Sequence, residues 1–256
     1  MPEPRAGEVL LRARKVSRNF GGLKAVDDVS VDVCLGTVHA VIGTNGAGKS
    51  TLINLLCGEI QASEGSVELL GRDVSRWSQP RRAQAGLGRS YQRNTIYTPF
   101  TVLENCRLSA QARLQRPWDW FSPAERCSAS VAAARLALEK AGLSAQAHLQ
   151  AGALSHGQKR QLEIAMCLAT KPRVLVLDEP LAGMGAEESD RMLSLLEGLK
   201  LDHAILLVEH DMDAVFRVSD EITVMVNGRV IATGKPADIR ANADVQTAYL
   251  GDEGAH

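Results

Sequence analysis

One nine-residue stretch, residues 43–51 with the sequence GTNGAGKST, constrains the fold of this chain more than any other. It has the spacing G-x-x-x-x-G-K-[ST], and it lies between an apolar run at 38–42 and a helical pattern that begins at residue 52. Glycines in such a loop let several backbone N–H groups point at one anion, and the next helix adds positive charge at its N-terminus. The stretch therefore predicts a phosphate-binding loop, with a Gly-rich turn before a helix as the alternative.

Two side chains of this loop have predicted roles. Lys49 can reach the terminal phosphates of a nucleotide, and the Ser50 hydroxyl can ligate the accompanying Mg²⁺. We therefore predict that the chain binds a nucleoside triphosphate. The predicted nucleotide-binding residues of the loop are Gly43, Asn45, Gly46, Ala47, Gly48, Lys49, Ser50 and Thr51.

Apolar runs and helical patterns alternate in the second half of the chain. The runs VLVL at 174–177 and AILLV at 204–208 are continuous in apolar residues, which is typical of parallel strands buried on both faces. Helical patterns occupy 156–169 and 186–199. This alternation predicts an α/β fold.

The other segments predict additions to that core. Strands are predicted at 9–16, 29–33 and 86–92, and a hairpin at 221–233. Residues 101–142 are rich in Ala, Leu, Arg and Glu with apolar positions at helical spacing, which indicates a helical insertion. We interpret the aromatic residues of its loop as a subdomain core, with an exposed patch for a partner as the alternative. These aromatic residues are Trp118, Trp120 and Phe121.

Two carboxylates directly follow the apolar run at 174–177. Because ligands bind at the carboxyl ends of parallel strands, we predict that Asp178 holds Mg²⁺ together with Ser50. Glu179 is the predicted general base or water-positioning residue for hydrolysis. An acidic turn that only closes a strand is the alternative interpretation.

Three further residues follow strand-like runs. Gln92 and His210 are candidates to face the same nucleotide, although a histidine after a strand is more often structural. Phe20 follows the first predicted strand in a chain with 4% aromatic residues. Its ring is expected to stack on a base or to fill part of a core, and the residues alone favour the core.

The composition excludes some classes of partner and site. The chain has 29 basic and 30 acidic residues, so no overall basic field indicates a nucleic-acid partner. Its five cysteines lack C-x-x-C spacing, which argues against a disulfide framework or a zinc site and fits a reducing cytosol. No apolar run approaches the ~20 residues of a membrane span, and no secretory signal is expected at the N-terminus.

A second motif makes the chain resemble a known family. The residues LSHGQ at 154–158 stand upstream of Asp178 and Glu179 and are followed by KRQL. This arrangement resembles the signature motif and the Walker B pair of ATP-binding-cassette (ABC) ATPases. The motifs occur in the family's order, and the resemblance extends from about residue 11 to the C-terminus.

The resemblance implies a fold and an activity. The fold is α/β, a P-loop NTPase (RecA-like) core with a mainly parallel sheet, an N-terminal antiparallel β subdomain and a helical insertion subdomain. Residues 1–256 would form a single ABC ATPase domain, with the helical subdomain at about 93–165 and a C-terminal helical tail at about 235–256. Such cassettes hydrolyse ATP, with Mg²⁺ as the cofactor.

The resemblance also assigns roles to individual residues. Residues 43–51 match the Walker A loop, Phe20 matches the adenine-stacking aromatic, Gln92 matches the Q-loop, and His210 matches the switch histidine. The implied catalytic residues are Glu179, His210 and Gln92. The implied metal ligands are Ser50, Gln92 and Asp178.

In this family two subunits form a head-to-tail dimer. The residues Ser155, Gly157 and Gln158 of one subunit would cover ATP held by the Walker A loop of the other. Ser155 is the predicted N-cap of the helix at 156–169, so its hydroxyl, the Gly157 N–H and the helix dipole would present a second anion site. The chain departs from the family at Gly185, where an acidic residue or Asn is usual.

Two segments indicate a particular group within this family. The patterns NFGGLKAV at 19–26 and TAYLG at 247–251 resemble ATPases of branched-chain amino acid importers, a group with relatives that serve urea and amides. The helical insertion agrees with that group, and residues 148–153 lack the acidic glycine-rich element of exporters.

The partners implied are membrane-embedded permease subunits, a second ATPase subunit and, indirectly, a periplasmic or extracellular solute-binding protein. No nucleic acid is implied. The expected location is the cytoplasmic face of the inner (plasma) membrane, as a peripheral subunit. An exporter ATPase, a non-transport ABC ATPase and a P-loop kinase are the alternatives.

Overall fold

The computed structural model of the chain describes residues 5–90, 96–114 and 127–250, with side chains up to residue 248. Its strands are β1 (Val9–Phe20), β2 (Leu23–Cys34), β3 (Val38–Gly43), β4 (Glu64–Leu69), β5 (Arg72–Asp73), β6 (Leu87–Arg89), β7 (Val174–Asp178), β8 (Ala204–Val208), β9 (Glu221–Val226) and β10 (Arg229–Gly234). Its α-helices are α1 (Lys49–Cys57), α2 (Gln79–Ala85), α3 (Val102–Leu114), α4 (Ser128–Lys140), α5 (His156–Ala169), α6 (Ala186–Lys200), α7 (Met212–Val218), α8 (Pro236–Ala241) and α9 (Ala243–Leu250).

A six-stranded sheet in the order β10-β9-β3-β8-β7-β6 forms the centre of the molecule. All neighbours in it are parallel except β9 and β10, which form the predicted hairpin at its edge. Every residue of β3, β7 and β8 is buried, as the continuous apolar runs predicted. The mainly parallel α/β core is therefore confirmed.

The N-terminal region forms a second sheet, antiparallel, in the order β2-β1-β4-β5. The long hairpin of β1 and β2 closes with Phe20 paired to Leu23, so both strands extend beyond their predicted ranges of 9–16 and 29–33. The apolar side chains of this sheet share one buried cluster with α1 and with strands of the central sheet. The two sheets therefore enclose the helix that follows the predicted phosphate loop.

The predicted helical insertion contains α3 and α4, which pack against each other and against α5. Small residues of α4 allow this close packing, among them the buried Ala133, Ala134 and Ala137. The three aromatic residues proposed for its loop, at 118, 120 and 121, lie outside the described residues. Among the helices that the structure describes, none is both long and apolar enough to span a membrane.

Two other segments also differ from what the sequence predicted. The strand expected at 86–92 covers only Leu87–Arg89 within the described residues. Helix α7 was not predicted, although Asp211 caps it by accepting a hydrogen bond from the Ala214 N–H at 3.1 Å. Its seven residues give too short a periodic pattern to stand out from the flanking strands.

A buried guanidinium holds the C-terminal end of α1. Arg82 on α2 is 1% exposed, and its Nη1 donates hydrogen bonds to the carbonyls of Leu55 at 2.8 Å and Leu56 at 2.7 Å. Its Nη2 and Nε donate to the carbonyls of Ser75 and Trp77. Arg82 therefore satisfies carbonyl groups that would otherwise be left without donors at a helix end.

Replacing this side chain is expected to destabilise the protein. Arg82→Met keeps most of the volume but removes the donors, so it should lower the free energy of unfolding by about 2–4 kcal/mol. Urea unfolding measures the loss. Arg81→Met on the same helix is the control, because exposed Arg81 stacks on Trp77 at 4.0 Å and its loss should cost about 1 kcal/mol or less. Equal losses in both variants would contradict the capping role.

Candidate nucleotide site

The loop at 43–51 passes so close to neighbouring backbone that glycine is required at two positions. A Cβ atom at Gly43 would lie 2.2 Å from the Met225 carbonyl oxygen, and one at Gly48 would lie 2.4 Å from the Ala25 carbonyl oxygen. The Gly228 N–H also donates to the Ala47 carbonyl at 3.0 Å. The loop is therefore fixed between β2 and the β9–β10 turn.

Helix α1 begins at the end of this loop with its N-terminus free of acidic residues. Gly48 is its N-cap, in the left-handed region at φ 98°, and among the described residues no side chain caps the helix. The first backbone N–H groups of α1 and its dipole therefore favour an anion at this position. Ser50 is exposed and Thr51 half-buried on the first turn, while Asn45 and Gly46 are exposed.

Lys49 lies across the loop. Its Nζ donates hydrogen bonds to the carbonyls of Gly43 at 2.6 Å and Thr44 at 3.0 Å. Burial lowers the pKa of Lys49, and the charges of Glu179 and Asp178 oppose that shift. The ammonium group is thus held close to the two carboxylates that were predicted to act with the loop.

Asp178 ends β7 and is 4% exposed. Burial raises its pKa, while the guanidinium of Arg89, with Nη2 3.7 Å from Asp178 Oδ2, lowers it by a smaller amount. Within the described residues its Oδ1 has no hydrogen-bond partner. A buried oxygen without a donor fits a metal ligand.

The chemistry of the two predicted ligands, Ser50 and Asp178, also fits Mg²⁺. A carboxylate and the Ser50 hydroxyl are oxygen ligands, and Mg²⁺ is usually bound by one or two protein oxygens together with phosphates and waters. In the part of the chain that the structure describes, no cluster of three or more His, Cys, Asp or Glu side chains could hold a metal by itself. The protein atoms therefore suit a metal that arrives with the nucleotide.

Asp178 also predicts a pH dependence of stability. Between its ordinary pKa and its raised folded pKa, the folded state binds more protons than the unfolded state, so stability falls as the pH rises through this interval. Asp178→Asn should therefore raise Tm at neutral pH, by about 2–4 °C per kcal/mol recovered, and the gain should vanish towards about pH 4. Differential scanning calorimetry across pH measures this. The exposed Glu139→Gln is the control, and an unchanged Tm for Asp178→Asn at neutral pH would contradict the argument.

Glu179 adopts an unusual backbone conformation. It lies at φ 49°, a region that residues other than glycine rarely occupy. Its N–H donates to the Val208 carbonyl at 2.8 Å, and its own carbonyl accepts from the Ala182 N–H at 3.2 Å. These contacts hold a half-buried carboxylate directly after Asp178 at the carboxyl end of the sheet. Strain of this kind is characteristic of functional sites.

Glu209 connects this turn to His210, and no sequence motif predicted a role for it. It is 1% exposed, and its Oε1 accepts from the Leu181 N–H at 2.7 Å while Oε2 accepts from the His210 N–H at 3.2 Å. Burial raises the pKa of Glu209. The signal available in the sequence was an acidic residue directly after the buried run of β8.

Phe20 and Gln92 were also predicted to contact the nucleotide, and their outcomes differ. Phe20 is 47% exposed at the end of β1, with the Arg18 guanidinium 4.7 Å from its ring centroid. The interpretation as a core residue is therefore wrong, because the hairpin carries Phe20 beyond the buried part of the sheet. Gln92 lies outside the described residues.

The N-terminus of α5 carries the second group of predicted nucleotide-binding residues, Ser155, Gly157 and Gln158. Ser155 is its N-cap and forms a capping box, in which Ser155 Oγ accepts from the Gln158 N–H at 3.2 Å and Gln158 Oε1 accepts from the Ser155 N–H at 3.0 Å. A cavity of about 230 Å³ beside them is also lined by Gly157 and includes no residue of 43–51. Within one chain, the structure therefore does not bring the loop at 43–51 and the residues at the α5 N-terminus together.

Comparison with known proteins decides the family. The family model described as ABC transporter matches residues 26–182, which include the loop, the α5 N-terminus and Asp178. The chain belongs to the ABC transporter family. A second model, described as branched-chain amino acid ATP-binding cassette transporter, matches residues 229–255 of this ABC ATPase.

Two curated relatives match this ABC ATPase over nearly its whole length. It is 37% identical over 250 residues to the high-affinity branched-chain amino acid transport ATP-binding protein BraF of Pseudomonas aeruginosa, covering 95% of this chain and 98% of the relative. It is 38% identical over 252 residues to the corresponding protein LivG of Salmonella typhimurium, with the same two coverages.

Solved structures agree with the fold of this ABC ATPase. The ADP conformation of an ATP-binding cassette of an ABC transporter superposes with a TM-score of 0.86 at 31% identity, covering 95% of this chain and 99% of that one. A nucleotide-free ATP-binding cassette gives a TM-score of 0.85 at 31% identity, covering 94% and 99%. The fold and the ATPase activity expected from the motifs are therefore confirmed.

Proposed function

We propose that this chain is the ATP-hydrolysing subunit of an importer for branched-chain amino acids, bound at the cytoplasmic face of a membrane. The observation that carries the proposal is the combination of an α1 N-terminus without an acidic first-turn residue and the carboxylates of Asp178 and Glu179 at the end of β7. The match of residues 229–255 to the branched-chain amino acid group supports the substrate class. Urea or amide uptake is the alternative within the same group.

Each side chain has a distinct role in the proposed hydrolysis. Lys49 and the first N–H groups of α1 bind the β- and γ-phosphates, and the exposed ring of Phe20 stacks on adenine. Ser50 and Asp178 would hold Mg²⁺, with Gln92 as the further ligand expected from the family pattern. The metal would neutralise charge that develops on the phosphates.

Glu179 orients the attacking water and accepts its proton, while His210 acts beside the terminal phosphate. The water is the nucleophile, so the P–O bond to the leaving ADP breaks as the new P–O bond forms. The contacts of Glu209 with Leu181 and His210 would keep the two catalytic segments in register.

The proposed active unit is a head-to-tail dimer with a second ATPase subunit, of the same or a related sequence. Within one chain the capped N-terminus of α5 lies apart from the loop at 43–51. The dimer would therefore have two composite sites, each formed by the loop of one subunit and the α5 N-terminus of the other. Binding of ATP between the halves would favour the closed dimer, and hydrolysis would release it.

A groove of about 300 Å³ is the proposed docking site for the permease. It lies between α2, α3 and α5, and its lining includes Ala83, Ser109 and Met166. Ser90, just before the segment that contains Gln92, also lines it. A permease loop in this groove would connect the membrane subunits to the nucleotide site.

Reconstitution of the importer tests this function. The chain would be co-expressed with its membrane partners, inserted in proteoliposomes, and assayed for ATP hydrolysis with a solute-binding protein. Stimulation by the leucine-loaded binding protein is expected, whereas stimulation by a urea-loaded one would favour the alternative. ATPase activity stimulated by nucleic acid, without co-purifying membrane subunits, would contradict the transport role.

A further inference from the structure

The N-terminus of α5 is already in contact with an anion that belongs to the same chain. Glu188 lies in the first turn of α6, and its Oε1 accepts a hydrogen bond from Ser155 Oγ at 3.1 Å. A Cβ atom at Gly157 would lie 2.6 Å from Glu188 Cδ and 2.7 Å from Oε1. The carboxylate therefore lies directly over the Gly157 backbone.

The contact engages the only hydrogen of the Ser155 hydroxyl. The same oxygen accepts the Gln158 N–H, so its acceptor side is used by the capping box and its donor side by Glu188. A hydroxyl donates one hydrogen bond at a time. A phosphate that needs this donor therefore competes with Glu188 for it.

The carboxylate of Glu188 takes no part in the ion pairs found in the described part of the chain. Among the described residues no Lys, Arg or His nitrogen forms an ion pair with it, although Arg191 lines the same cavity and lies 3.8 Å from the neighbouring Glu187. The partial positive charges at the N-termini of α5 and of α6, which carries Glu188 in its first turn, therefore both act favourably on this carboxylate.

We infer that Glu188 is a built-in occupant of the Ser155–Gly157 anion site, which nucleotide phosphate must displace before the dimer can close. This inference rests on the proposed head-to-tail dimer. The carboxylate stabilises the open subunit, because it satisfies the α5 N-terminus without a ligand. It also opposes closure, because a carboxylate and a triphosphate repel each other at one site.

After displacement, the Glu188 side chain could form an ion pair with Arg191. Arg191 is one turn along α6 from Glu188, and side chains three residues apart on a helix are neighbours. Closure would therefore exchange a contact with Ser155 for an ion pair with Arg191. The exchange makes the α5 half-site respond to a phosphate rather than to contact with a second subunit alone.

The first test uses Glu188→Gln, with Glu197→Gln as the control because Glu197 is an exposed glutamate further along α6. Inorganic phosphate is titrated into the nucleotide-free protein, and the Gly157 and Gln158 amide signals are followed by NMR. Removing a charge at a helix N-terminus should strengthen phosphate binding there by about twofold to fivefold, whereas the control should match the wild type. Equal affinity in wild type and Glu188→Gln, or weaker binding in the variant, would overturn the inference.

The second test measures closure, in proteins that also carry Glu179→Gln. Sedimentation at graded ATP concentrations should show that Glu188→Gln lowers the dimer dissociation constant by about fivefold or more. The effect is larger than for one site because phosphate binds more tightly at both α5 N-termini of the dimer. Dimers of unchanged or lower affinity would overturn the inference. If no variant forms dimers with ATP, the head-to-tail dimer is contradicted, and the phosphate titration still decides the role of Glu188.

Discussion

Glu179→Gln is expected to abolish steady-state ATP hydrolysis while leaving ATP bound. The amide keeps the shape of the side chain and its backbone contacts, but it cannot accept a proton from the attacking water. Loss of a general base lowers kcat by about 10²–10⁴-fold. The Glu179 N–H bond to Val208 does not involve the side chain, so the turn after β7 should keep its conformation.

Single-turnover hydrolysis and equilibrium binding of ATP separate these effects. We expect a Kd for ATP within a few-fold of the wild-type value and a kcat near the detection limit. Asp213→Asn, an exposed substitution on α7, is the control and should hydrolyse ATP normally. Near wild-type turnover in Glu179→Gln would assign the proton transfer to another group.

Lys49→Ala is expected to act on binding rather than on the chemical step alone. The Lys49 ammonium is partly desolvated and held by the carbonyls of Gly43 and Thr44, so its charge is already positioned for phosphates. A charge-assisted contact of this kind contributes about 1.5–3 kcal/mol. The Kd for ATP should therefore rise by about 10- to 150-fold.

The same variant makes a second prediction about the free protein. Two carbonyls of the loop lose their donor, so Lys49→Ala should also lower Tm slightly in the absence of nucleotide. Isothermal titration calorimetry with ATP, with the exposed Lys24 changed to Ala as the control, measures the affinity. An unchanged Kd in Lys49→Ala would contradict the role of this loop in phosphate binding.

The parts of the site that were predictable depend on short spacings. The loop at 43–51, the N-cap at Ser155 and the pair after β7 each combine a local residue pattern with an adjacent helix or strand. These patterns fix backbone geometry within a few residues, and the structure reproduces the cap and the flanking elements. Their roles towards ATP and Mg²⁺ remain proposals.

The parts that were missed depend on contacts between distant residues. Glu209 reaches back 28 residues to Leu181, and Glu188 reaches back 33 residues to Ser155. Neither pairing leaves a periodic signal in the chain. Phe20 shows the opposite error, because its residue type suggested burial while its place at the hairpin end leaves it exposed.

The hydrogen bonds from Arg82 to the end of α1 have a mechanical consequence. Because four of its hydrogen bonds join α2 to the last turn of α1 and to the segment between them, the two helices should move as one rigid lever. A displacement of the loop by incoming phosphates would then be transmitted along α1 rather than lost by fraying of its far end. Helix α2 borders the groove proposed for the permease, so this lever would carry the state of the nucleotide towards the membrane subunits.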